Sequence, residues 1–188
     1  KYPKVAPNEF TATVQRDSTA TKWGMRVDLQ DATKLLVERV EESGPVVTWN
    51  GTVLPDYHIQ QFDMIVGTGA MSGDAAVMMQ EFMDKTIVTM TVRRSVELVV
   101  FVKRATADVP WGLDFPPNPK GSSLVIVALL PGSSLIKEYN RRQREASLQV
   151  QIGDRILAVN GEVGTSKLIR SRLSSSIGNI RLTILRCT

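Results

Sequence analysis

The feature that most constrains what this chain can fold into is an internal repeat of about 90 residues. Glu9-Phe10-Thr11-Ala12-Thr13-Val14 is matched 88 positions later by Glu97-Leu98-Val99-Val100-Phe101-Val102, and Trp23-Gly24-Met25 by Trp111-Gly112-Leu113 at the same spacing. Trp49-Asn50 finds Tyr139-Asn140 at 90, and Phe62-Asp63-Met64-Ile65-Val66 finds Gly153-Asp154-Arg155-Ile156-Leu157 at 91. Ile87-Val88-Thr89-Met90-Thr91-Val92-Arg93 parallels Ile180-Arg181-Leu182-Thr183-Ile184-Leu185-Arg186. Chance supplies one or two such landmarks, not five in the same order. The 188 residues therefore read as two copies of one small module, residues 1–94 and 95–188.

Periodicity places the elements inside each copy. Phe10–Arg16 and Leu98–Lys103 are rich in β-branched and aromatic residues and read as first strands. Trp23–Gln30 alternates, with Met25, Val27 and Leu29 on one face, and reads as a half-buried strand. Third strands are expected at Lys34–Glu42 and Ser123–Leu130, followed after Gly-Pro or Pro-Gly turns by short helices. The second of these, Leu135–Ala146, is polar enough to predict a surface helix. A strand (Asp63–Val66; Asp154–Val159), a helix (Asp74–Asp84; Ser166–Ser174) and a closing strand complete each copy. The expected class is α+β, mostly β: two partly open barrels or sandwiches, each capped by two helices.

Composition excludes several functions. At 43% apolar and 22% charged residues the chain is an ordinary folding sequence. Its longest apolar runs are about seven residues, whereas a membrane-spanning helix needs roughly 20. Cys187 and His58 are each the sole residue of their type, so neither a cysteine zinc site nor a histidine-rich metal centre can form, and no metal or cofactor is expected. Charge is uneven: residues 1–94 hold 10 Lys+Arg against 12 Asp+Glu, and residues 95–188 hold 13 against 7. No signal-peptide pattern is legible, and the compartment is not read from these residues.

Gln151-Ile152-Gly153-Asp154-Arg155-Ile156-Leu157-Ala158-Val159-Asn160-Gly161 resembles the GDxIlxVNG signature of PDZ domains. Trp111-Gly112-Leu113-Asp114-Phe115 is similar to the family's glycine-containing carboxylate-binding loop. Copy one is more diverged; Gln61-Phe62-Asp63-Met64-Ile65-Val66-Gly67 keeps the aspartate and the apolar pattern without the first glycine or the Val-Asn-Gly end. The resemblance implies capture of a peptide C-terminus or β-strand by strand addition, with a carboxylate held on backbone N–H groups. It places Trp23, Gly24, Met25, Val27, Ala75 and Met79 on the peptide in copy one, and Trp111, Gly112 and Leu113 in copy two. Each Trp-Gly pair has an alternative reading, an indole covering one end of the core. Pro116 and Pro117 truncate the receiving strand of copy two, which ranks the first groove above the second.

Other features carry rival readings. Gly67-Thr68-Gly69-Ala70-Met71-Ser72-Gly73 has the spacing of a dinucleotide-binding turn, although no acidic strand end follows it. Arg141, Arg142 and Arg144 form either a solvated helix face or a docking patch for an acidic protein or membrane surface. Nucleic acid is disfavoured because only Tyr139 lies near them to stack on a base. His58 reads as a loop histidine, Met78, Met79 and Met83 as core and groove packing, and Asp63 and Asp154 as structural acceptors. The whole points to a non-enzymatic tandem PDZ-like scaffold or peptide-recognition protein. The alternative is an accessory subunit of a large assembly, peripheral to an organellar membrane complex such as that of the thylakoid, its grooves unused or filled by partners. The junction Arg93-Arg94-Ser95-Val96 leaves no flexible linker and predicts a fixed mutual orientation of the copies; small-angle scattering that showed independent tumbling would refute this.

Overall fold

The computed structural model describes residues 8–187. Contacts along the backbone divide it into two compact units, residues 8–95 and Val96–Cys187. The first runs β1 (Glu9–Gln15), β2 (Met25–Asp28), β3 (Leu35–Val40), α1 (Pro45–Thr52), β4 (Met64–Thr68), β5 (Met71–Ser72), α2 (Ala75–Asp84) and β6 (Ile87–Arg93). The second runs β7 (Ser95–Arg104), β8 (Leu113–Asp114), β9 (Leu124–Val125), β10 (Ala128–Leu129), α3 (Leu135–Arg142), β11 (Arg155–Val159), β12 (Glu162–Val163), α4 (Ser166–Ser175) and β13 (Gly178–Cys187). Both are α+β and mostly β, with antiparallel sheets that do not close into barrels.

In the first unit the sheet order is β1-β6-β4-β3-β2, with β5 on β4. Strict alternation puts Phe10, Ala12 and Val14 of β1 inward, and the register sets them opposite Val92, Met90 and Val88 of β6. Leu35, Val46, Met78 and Phe82 complete that core. The second unit pairs β12-β11-β13-β7 with β9 on β11, and holds β8 and β10 as a separate two-stranded pair. Val100, Leu124, Ile136, Ile156, Ile169 and Leu182 lie in its core.

Three expectations are corrected. The third strand of the second copy is not one strand over Ser123–Leu130: β9 pairs with β11 and β10 with β8, and between them Ile126 donates to Asp154 O and accepts from Gly153 N–H, each at 2.8 Å. The helix predicted over Leu135–Ala146 stops at Arg142, and Ile136 is fully buried, so it anchors to the core. The closing strands align one residue differently from the sequence match. Val92 pairs with Ile65 as Ile184 pairs with Ile156, and both ladders bulge at the equivalent place. By this register Val88, Met90 and Val92 correspond to Ile180, Leu182 and Ile184, all of them buried.

The recurring Trp-Asn and Tyr-Asn pairs have a structural cause. The Asn50 side-chain amide donates to Ile59 O at 2.9 Å and accepts from Ile59 N–H at 2.8 Å. Asn140 does the same with Val150, 2.8 Å each way. One amide pins the chain returning from the helix in each unit.

Candidate peptide-binding groove

In the first unit, β2 is a terminal strand of its sheet, and Leu29, the residue after it, shares a cleft with α2. The strand is shorter than Trp23–Gln30 suggested. Gly24 turns the chain into it at φ +79°, where an added Cβ would meet Ser43 O at 2.7 Å. At the other end Asp28 Oδ1 accepts from Gln30 N–H at 2.6 Å, a side-chain turn that stops the ladder. Four residues remain for pairing with a ligand.

Helix α2 is amphipathic. Asp74 caps it by accepting from Ala76 and Val77 N–H at 3.0 and 3.1 Å. Ala75, Met78 and Phe82 face the core. Ala76, Met79, Gln80 and Met83, with Leu29, Ala32 and Thr33 across from them, line an open cleft of about 550 Å³. Leu29 and Met83 are more than half exposed in it.

The predicted site residues therefore separate. Met79 lines the cleft, and Ala75 reaches it while nearly fully buried. Met25 and Val27 pack against the core and are not among the cleft's lining residues; Leu29 takes that place. Trp23 and Trp111 follow the core reading. The Trp23 indole N–H donates to Phe82 O at 2.7 Å and its ring meets Phe82 edge-on at 5.6 Å. The Trp111 indole donates to Leu173 O, also at 2.7 Å. Gly112 repeats the turn of Gly24 at φ +76°, and an added Cβ would lie 2.1 Å from Ser134 Oγ. Leu113 is buried.

An arginine lies over each indole. Arg16 covers Trp23 at 4.5 Å and donates to Met83 O at 2.8 Å and Lys85 O at 3.0 Å. Arg104 covers Trp111 at 5.4 Å and donates to Leu173 O, Ser174 O and Ser176 O at 2.8–3.1 Å. Each guanidinium satisfies carbonyls left open at the end of the second helix of its unit. Arg16 and Arg104 stand 88 residues apart, the spacing of the Trp-Gly pairs, so this device was legible in the repeat and missed.

No protein-family model and no curated protein matches the chain. Among solved structures it is similar to that of INAD PDZ45 in complex with NG2 peptide: 18% identity, 100% of this chain and 94% of that one, TM-score 0.39. It is also similar to the complex of INAD PDZ45 and NORPA CC-PBM, with 19% identity, 97% and 93% coverage and TM-score 0.37.

The remaining candidates fall elsewhere. Gly67-Thr68-Gly69-Ala70-Met71-Ser72-Gly73 is a β-hairpin, with Gly67 opposite Ser72 and Thr68 opposite Met71. No strand leads directly into a helix there, and the dinucleotide reading falls. His58 Nε2 sits 3.3 Å from Val53 O in a loop. Arg141 and Arg142 both pair with Glu138 at 2.9 Å on α3, and Arg144 lies just beyond that helix. Hydrogen bonds from Arg141 first and Arg142 second lower the Glu138 pKa to about 2. The sign follows: this stabilisation of α3 is complete above the ordinary pKa near 4.5 and is lost as pH falls towards 2. Carboxyl NMR titration should show the low midpoint, moving back towards the ordinary value in high salt because the pair is exposed. A midpoint at the ordinary value in low salt would disprove the pairing. Among the described residues, no helix is long and apolar enough to cross a membrane.

Proposed function

We propose that the chain is a non-enzymatic protein-interaction module whose first unit binds the C-terminus of a partner by strand addition to β2. The observation that carries this reading is the open, largely apolar cleft between α2 and the segment that directly follows a terminal strand, β2. The carbonyls of Trp23 and Gly24 are engaged by Val46 and Glu41 N–H at 2.9 and 2.8 Å. The N–H groups of the same turn are the proposed donors to a terminal carboxylate. Met79, Met83 and Leu29 favour an apolar side chain on the ligand, and the deformable methionines admit more than one.

Titration of the full chain with peptides ending in an apolar residue, and apolar again two before it, should shift amides of residues 23–29 and 75–83. Met79→Lys should weaken that binding about tenfold or more while leaving the fold intact, because it puts a charge into the cleft. Shifts confined to residues 110–116, or none, would overturn the reading. The second unit is poorly suited to strand addition. Its receiving strand is only Leu113–Asp114, and Arg170 Nη1 reaches across to Pro116 O and Pro117 O at 3.2 and 3.3 Å.

A further inference from the structure

The two units carry clefts at equivalent places with opposite chemistry. In the first, the α2 positions Ala76, Met79, Gln80 and Met83 form one wall. Ninety-one residues on, Lys167, Arg170, Ser171 and Ser174 of α4 form one wall of a second cleft, of about 340 Å³. The facing wall is Pro117, Asn118 and Pro119, and no carboxylate is among the lining residues. Helical spacing puts all four α4 side chains on one face, so a wall apolar at three of its four positions, Gln80 excepted, is matched by a cationic and hydroxyl one.

We propose that the α4 cleft of the second unit binds an acidic segment of a partner protein through side-chain charge rather than strand addition. Prolines on the facing wall lack N–H groups and cannot extend a ladder, so the backbone cannot supply the affinity. Lys167 and Arg170, one turn apart, offer two cations to a carboxylate. Arg170 is held in place by its bonds to Pro116 O and Pro117 O. Ser171 and Ser174 add hydroxyls beside them. The binding is independent of the first-unit groove.

The test is a titration of the full chain with an acetylated, amidated peptide of alternating Glu and Asp, which has no free terminus for strand addition. Amides of Asn118 and residues 167–174 should shift, and the affinity should fall about tenfold between low and moderate salt. Lys167→Glu and Ser171→Glu, both at exposed positions, should each reduce binding about tenfold or more with native-like spectra. Neither should alter binding of an apolar-ended peptide to the first unit, so failure here is separable from failure of the strand-addition reading. An absence of shifts at these residues would overturn the proposal, as would undiminished binding by both variants. Equal shifts produced by inorganic phosphate alone would overturn the assignment to a protein ligand.

Discussion

Arg186→Met should destabilise the second unit by about 3–5 kcal/mol, the scale for removing one partner of a buried ion pair. Arg186 is 8% exposed and donates to Asp154 Oδ1 at 2.8 Å and Oδ2 at 2.6 Å. It also donates to Ser147 O at 2.5 Å and to Gln149 O, so it ties β13 to the segment before β11. Methionine fills the space but leaves Asp154, 2% exposed, without its cation, and strands carbonyls that the guanidinium satisfied. Denaturant unfolding followed by amide signals of the second unit measures the loss. Arg94→Met in the first unit should cost less, because Arg94 is more exposed and makes one ion pair, to Asp63, and one carbonyl bond, to Asp56. A change below about 1 kcal/mol for Arg186→Met would place the pair among the weak surface bridges and refute the argument.

Trp23→Ala should destabilise the first unit by about 3–5 kcal/mol, the range for truncating a buried aromatic. The indole is 8% exposed, packs on Phe82, and supplies a hydrogen bond to its carbonyl. Its loss also uncovers Arg16, whose guanidinium lies on the ring while bonding the carbonyls at the end of α2. Trp23→Phe should cost less, keeping the apolar mass and losing the N–H. If Trp23→Ala were near neutral in stability and abolished only peptide binding, the indole would be a ligand contact rather than a core element.

Several features were legible before any coordinates. Phe10–Arg16, rich in β-branched and aromatic residues, and Ile87–Arg93 read as strands, and β1 and β6 form there. Asp74 ahead of an apolar helical period marked the start of α2 within one residue. The double proline after Phe115 marked the truncated strand of the second copy. Each of these is a local property: backbone geometry fixes a period of 2 or 3.6, and a missing N–H acts where it stands.

What was not legible is which side chains distant segments cover. Alternation in the sequence puts Met25, Val27 and Leu29 on one face, yet β2 ends at Asp28 and only Leu29 lines the cleft. The two tryptophans looked equally suited to ligand and core until Phe82 O and Leu173 O were found about 60 residues away, accepting from their indoles. The groove position of Arg170 exists only because α4 is set against the prolines. By itself the sequence determined that the same landmarks recur about 90 residues apart and, to within a few residues, where most of the strands and helices run. Only tertiary structure decided which side chains close the core and which line the two clefts. A residue's period chooses its face, but what covers that face is set by segments far away in the chain.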